Sequence, residues 1–297
     1  MDGRRQLGEF LRTRRSQVRP DDLGLVGHGE RRRVPGLRRE ELALLAGVSA
    51  SYYARLEQGY SLNASAEVLD ALARALRLGE TERRHLHDLA GGARTRPGAR
   101  RPAPERPTPA LAELVDALGD VPALVLGRYG DVLAWNSTGH ALFAGHLDAG
   151  SPATTRDRPN MARLVFLDAH TRALYADWPA KARAVVGTLR LAAGQYPGDA
   201  GLAALVGELT VRSPEFGDLW ARHRVKAGDD ATYEMRHPTV GTLTVTQQAL
   251  RTEQGGTVVI ATTEPGSPSR EAMALLAHNT AFAPGAATPE PSPAPRR

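Results

Sequence analysis

The chain contains no cysteine. That excludes disulfides, thiolate zinc sites and cysteine nucleophiles together, and with them zinc fingers, zinc-type deaminases and cysteine hydrolases. It also lacks any apolar run near the roughly 20 residues that a membrane span requires, so no membrane association is expected. The opening residues, MDGRRQLGEF, enter an amphipathic pattern without the apolar stretch of a secretory signal, and a cytoplasmic location is expected. Lysine is nearly absent, with Lys181 and Lys226 standing beside abundant Arg, Ala, Gly and Pro. Such a bias reads as GC-rich coding. Catalytic devices are missing as well: no G-x-S-x-G elbow, no Walker loop and no His-Glu metal helix occurs. Gly24, Gly27 and Gly29 imitate a phosphate loop but follow no convincing strand. His85 and His87 are two apart on a predicted helix and cannot chelate one ion together. No enzyme, cofactor or metal is expected.

What is present is enough for two domains: 297 residues, 41% hydrophobic and 24% charged. Charge is uneven. Residues 1–101 hold 20 Arg against 13 Asp and Glu, a balance of +7, while the remaining 196 residues hold 18 basic against 20 acidic, a balance of −2. A positive segment joined to a near-neutral one is the electrostatic footprint of a polyanion-binding module with a partner domain.

Residues 94–109, RTRPGARRPAPERPTP, have the composition of a solvated linker and separate a first domain, 1–93, from a second, 110–278. A Pro-, Ala- and Ser-rich tail, 279–297, cannot bury enough apolar surface to offset its ordering entropy and is expected to be disordered. In the first domain Leu7, Phe10 and Leu11 mark one helix, with Arg12, Arg14 and Arg15 mostly outside its apolar face. Leu42, Leu45 and Ala46 mark a second, Tyr53 and Leu56 a third, Val68, Leu69, Leu72 and Leu76 a fourth, and Leu86 and Leu89 a fifth. The second domain carries strand-like DVLAWN, TYEMRH, VGTLTVTQQ and TVVIATT, interrupted by a helical stretch from about Asn160 to Arg222. An all-α five-helix domain followed by an α+β domain with an antiparallel sheet is expected.

In RREELALLAGVSASYYARLEQG one amphipathic helix stops at Gly47 and another begins within three residues. Gly47 permits the left-handed turn, Val48 plugs the gap between helices, and Ser49 is placed to cap the second helix. In a helix-turn-helix that second helix, Ser49–Gln58, enters the major groove of double-stranded DNA by its N-terminal end. Arg55 then suits guanine, Ser51 several bases, the Ala50 methyl a thymine, and Tyr52 a phosphate, while Tyr53 packs inward. Arg38 and Arg39 would sit over the DNA backbone. Arg38 to Gly59 resembles the lambda-repressor-like, Xre-type helix-turn-helix family, through Glu41-Leu42-Ala43, Ala46-Gly47-Val48-Ser49 and Leu56-Glu57-Gln58-Gly59. The connection from Arg19 to Gly36 is longer than in minimal repressors, and its run Arg31-Arg32-Arg33 is either a minor-groove or phosphate arm or a solvated loop. One such motif reads few base pairs, so a homodimer is expected, in a nucleoid-associated setting.

From Pro122 to about Ala277 the chain resembles the MmyB-like ligand-binding domain, a PAS-like module. The resemblance lies in Val132-Leu133-Ala134-Trp135-Asn136, Phe166-Leu167-Asp168, Asp177-Trp178, Glu208-Leu209, Ser213-Pro214-Glu215-Phe216, Trp220-Ala221-Arg222-His223 and His237-Pro238-Thr239-Val240-Gly241. It implies an apolar pocket and a lipid-like, fatty-acid-like effector. A carboxylate there would need a buried cation, for which Arg163 and His223 are the candidates. Trp135, Phe166, Trp178 and Trp220 are candidates for the pocket wall, core packing being the commoner use of such rings. Asn136 suits the cap of a helix starting at Ser137 better than a ligand contact. The alternative is a second domain that docks or dimerises with a protein and holds no metabolite.

Overall fold

In the computed structural model, residues 3–20, 36–60, 64–91, 105–196, 198–222, 230–252 and 256–281 are described. Helices α1 (Gly3–Gln17), α2 (Arg39–Leu45), α3 (Ala50–Glu57), α4 (Ala66–Ala75) and α5 (Glu80–Gly91) form an N-terminal helical unit. Its core is built from Leu7, Phe10, Leu11, Leu42, Tyr53, Leu56, Leu69, Leu72, Leu86 and Leu89, all buried. The five helices and most of their apolar positions match the periodicity. Leu45 is the exception: Leu42, Ala43 and Ala46 take the inward face of α2, which turns Leu45 to solvent at 40% exposure. Arg14 and Arg15 also differ from expectation, because both are drawn inward by carboxylates. Arg14 pairs with Glu82 of α5, and Arg15 with Glu57 of α3.

The C-terminal unit comprises α6 (Pro109–Ala117), β1 (Ala123–Leu126), β2 (Val132–Trp135), α7 (Ser137–Ala144), α8 (Met161–Leu167), α9 (Ala169–Leu174), α10 (Trp178–Gln195), α11 (Ala200–Arg212), α12 (Pro214–Ala221), β3 (Asp230–His237), β4 (Gly241–Arg251), β5 (Thr257–Thr262) and α13 (Pro268–Ala281). All five strands pair antiparallel in the order β2-β1-β5-β4-β3. The register places Leu124 opposite Trp135 on one side and Val259 on the other.

Inward side chains alternate along the strands: Tyr233, Met235 and His237 on β3, Leu243, Val245 and Gln247 on β4. That face meets α7 to α10, where Phe143, Val165, Phe166, Leu174, Val186 and Leu189 complete the main core. The opposite face of β1, β2 and β5 is covered by α6 through Val115, Val125, Leu133 and Val258. Strand β1 escaped the sequence reading because its four residues, ALVL, show no alternation; they are buried on both faces.

The expected linker is shorter at its C-terminal end. The Glu105 carboxylate accepts from the Arg128 N–H at 2.8 Å and pairs with the Arg128 guanidinium, while Arg158 Nη1 donates to Glu105 O at 2.9 Å. Thr108 caps α6, its hydroxyl accepting from Leu111 N. These contacts attach residues 105–109 to the C-terminal unit. At the other end α13 runs to Ala281, three residues into the expected tail. Residues 92–104 and 282–297 lie outside the described residues.

Candidate functional site

The turn between α2 and α3 is closed by local bonds and by Val48 packing on the core. Gly47 has φ +67°. With that left-handed residue in place, Val48 N donates to Ala43 O at 3.0 Å and Gly47 N to Leu44 O at 3.2 Å. The two bonds form a Schellman closure that satisfies carbonyls otherwise orphaned at the helix end. Ser49 Oγ accepts from Tyr52 N at 3.1 Å, capping α3. At the start of α2, Glu41 reaches back to accept from Arg38 N at 2.8 Å.

Helix α3 is anchored from within. Tyr53, Leu56 and Glu57 are buried, and the Tyr53 hydroxyl lies 3.5 Å from Leu11 O. The Glu57 carboxylate, with no exposed side-chain surface, receives Arg15 at 3.0 and 3.1 Å, Arg39 at 3.0 and 3.3 Å, and Arg12 at 3.4 Å. Burial alone would raise its pKa; the hydrogen bonds and charges of Arg15 and Arg39 outweigh that and hold it below the ordinary carboxylate value. One carboxylate therefore ties α1 and α2 to α3. The sequence reading used Glu57 only as part of a motif. What marks it is an acidic residue one step beyond Leu56 in a segment rich in arginine.

Outside this anchor, Ser51, Arg55 and Arg38 are exposed, Ala50 and Tyr52 half-buried, and Ser49 is exposed but spent as a cap. Arg39 is at the surface yet bound to Glu57. Arg31, Arg32 and Arg33 lie outside the described residues. His85 and His87 diverge, the first packing its ring against Phe10 at 5.2 Å and the second meeting Asp70 at 2.8 Å.

The C-terminal unit contains a cavity of about 530 Å³ between α10 and the sheet, within the size range of small-molecule sites. Its helical wall carries Lys181, Val185, Thr188, Leu189 and Ala192. The sheet contributes Leu124, Leu126, Tyr233, Gln247, Ala249 and Val259, and Phe143 and Met161 close the sides. The lining is mostly apolar, with a buried cation at one end. Lys181 Nζ donates to Gln247 Oε1 at 2.7 Å and stands 5.0 and 4.9 Å from the ring centres of Tyr175 and Tyr233. Gln247 Nε2 in turn donates to the Tyr175 hydroxyl at 3.3 Å.

Among the described residues no carboxylate pairs with Lys181. Burial pushes its ammonium below the ordinary lysine value, opposed weakly by Tyr233, and pushes the Tyr175 hydroxyl up to about 12. A buried cation met by one amide oxygen and two ring faces retains donors for an incoming acceptor.

Five of the residues singled out in sequence for this site lie elsewhere. Arg163 is spent on the surface, pairing with Glu208 at 2.8 Å. Phe166 packs edge-on against Trp178 and Phe216, and Trp178 Nε1 donates to Val165 O at 2.7 Å, so both belong to the core. Trp220 stacks on Phe216 under the Arg190 guanidinium. Trp135 Nε1 donates to Ala149 O at 2.9 Å on the outer part of the sheet. None of these five lines the cavity, and His223 lies outside the described residues.

Asn136 is structural: its Oδ1 accepts from Gly139 N and Ala123 N, and its Nδ2 donates to Gly119 O and Val121 O. Lys181 was missed because it was read as coding bias. Its signal was its rarity, since a lysine in the midst of apolar helix in a chain that otherwise uses arginine is an outlier.

A short turn leading into a helix anchored on one face and exposed on the other, joined to a hollow α+β unit, is the architecture of a helix-turn-helix unit with a cavity-bearing partner domain. Comparison with known families agrees. A helix-turn-helix domain matches residues 6–86, and the MmyB-like transcription regulator ligand binding domain matches residues 107–276, more than half of the chain. The chain belongs to the MmyB-like family and is a helix-turn-helix regulator. No curated protein matches it.

Proposed function

We propose that this chain is a cytoplasmic, nucleoid-associated regulator of the Xre type in which α3 reads the major groove and a PAS-like domain holds an apolar or fatty-acid-like effector. The observation that carries the DNA reading is the division of α3: Tyr53, Leu56 and Glu57 are committed to the interior while Ser51 and Arg55 remain exposed beside Ala50 and Tyr52. Arg55 supplies a bidentate donor for guanine, Ser51 and Ala50 read neighbouring bases, and Ser49 fixes the helix start against the backbone. Arg38 and Tyr52 reach phosphates; Arg39 contributes less, being shared with Glu57. Arg31, Arg32 and Arg33 would extend the footprint into the minor groove.

The chain would bind as a homodimer on two half-sites about one helical turn, roughly 34 Å, apart. Lys181 takes the place of Arg163 as the anchor for an effector carboxylate. A cavity in place of a filled core favours an effector over a purely protein-docking role.

Footprinting on the DNA upstream of the protein's own gene, with and without hexadecanoate, tests this reading. The expected result is a two-part protected site whose occupancy changes with the ligand. Uniform protection of any DNA, insensitive to ligand, overturns it.

A further inference from the structure

Helix α10 is shared by the two units. One side follows the cavity at helical spacing, from Lys181 through Val185, Thr188 and Ala192 to Gln195. Its last turns dock on the DNA-binding unit: Leu191 enters the core of the five helices, and Gly194 lies so close to α5 that a Cβ there would come within 2.6 Å of the His85 ring. The contact has no slack.

Polar groups line the cavity along the length of α10, with Thr188 between those near its two ends. Lys181 and Gln247 stand at one. At the other are Gln195, Arg251 and Asp88, which belongs to α5 of the DNA-binding unit. Lys181 and Gln195 are fourteen residues apart on one helix, a span of about 21 Å at 1.5 Å per residue. Asp88 is half-buried there, and burial, opposed by Arg84, His87 and Arg251, raises its pKa.

We propose that the DNA-binding unit forms the far wall of the effector cavity and that the effector is read by length: a headgroup held at Lys181 leaves only a sufficiently long chain to reach Asp88 and shift α5. The inference rests on the reading of the cavity as an effector site. Each half has a physical cause. An anionic headgroup supplies the counter-charge that no carboxylate among the described residues gives the buried Lys181 ammonium. An apolar chain end against Asp88 strips remaining water from a carboxylate that already tolerates little loss of solvation, and so favours arrangements in which α5 moves away. A ligand shifts an equilibrium only through such a difference between two states. A short chain anchored at Lys181 fills the near half of the cavity and makes none.

The test uses the full chain with hexanoate, decanoate and hexadecanoate, the last long enough to span the cavity when extended. Calorimetry reads binding, and fluorescence anisotropy on operator DNA reads coupling. Expected is binding of decanoate and hexadecanoate that Lys181→Met weakens about tenfold or more, with DNA affinity changed about fivefold or more by saturating hexadecanoate and unchanged by hexanoate. Asp88→Ala should keep hexadecanoate binding and lose most of that change. Hexadecanol on the wild type removes the charge from the ligand instead of the protein and should bind at least about tenfold more weakly than hexadecanoate.

Equal coupling by hexanoate and hexadecanoate at saturation overturns the length reading. Equal binding of the alcohol and the acid overturns the Lys181 anchor. Failure of every chain to bind removes the effector reading itself, and this inference with it.

Discussion

The two units treat a buried charge in opposite ways. In the helical unit Glu57 is enclosed and answered by Arg15, Arg39 and Arg12, so three helices lock around a satisfied ion. In the C-terminal unit Lys181 is enclosed and answered by one amide oxygen and two aromatic faces, beside open space. A compensated buried charge specifies one arrangement of its neighbours, whereas an under-compensated one is costly to the empty state and ready for a partner. The first holds α3 against α1 and α2. The second leaves donors free for an anionic partner in the cavity.

Removing the charge in each unit should therefore have opposite consequences. Glu57→Ala leaves three arginines facing an emptied site and is expected to destabilise the helical unit by about 3–5 kcal/mol in denaturant unfolding followed by circular dichroism. Lys181→Met, of similar length and apolar, should leave the ligand-free protein equally stable or raise its stability by about 1 kcal/mol or more. Equal losses in both variants would erase the comparison.

A smaller effect, about 1 kcal/mol, is expected for Ser49→Ala, which frees the Tyr52 N–H at the start of α3 without touching the anchor. The smallest belongs to Arg163→Ala. Its ion pair with Glu208 is exposed, so stability should change by less than about 1 kcal/mol and ligand uptake not at all.

The pH dependence of stability sharpens the same contrast. Glu57 has a folded pKa below its ordinary value, so its contribution is complete above that value and is lost as pH falls through the depressed one. Lys181 is also lowered, from 10.5, but here the ordinary form near neutrality is the charged one. The unfolded chain binds the extra proton as pH rises towards 10.5, so wild type should gain stability relative to Lys181→Met across that range. Parallel urea titrations of the two proteins check the sign.

The fold was legible where pattern and burial coincide. Helical periodicity marked α1 to α5, the cap residues Ser49 and Asn136 declared themselves by type and place, and β-branched and aromatic content marked β3 and β4 as strands. Strand β1 was not legible, since four apolar residues carry no period. The turn, cap and exposed positions of the helix-turn-helix could be read because they lie within one short stretch of chain.

The cavity is assembled from segments far apart in sequence, and nothing local distinguishes Phe166, which is core, from Phe143, which lines the space. Arg163 looked available until Glu208, 45 residues on, was seen beside it. Lys181 has the reverse history, because its partners arrive from β3, β4 and the end of α9.

The central claim is that α3, held by Glu57 and capped by Ser49, reads base edges through Arg55. Fluorescence anisotropy of wild type and Arg55→Ala on operator and scrambled DNA, across a range of salt concentrations, tests it most directly. The account predicts operator binding that weakens steeply with salt, with Arg55→Ala costing about 1–3 kcal/mol on the operator and little on scrambled DNA. Equal affinity of the two proteins for both DNAs would contradict it.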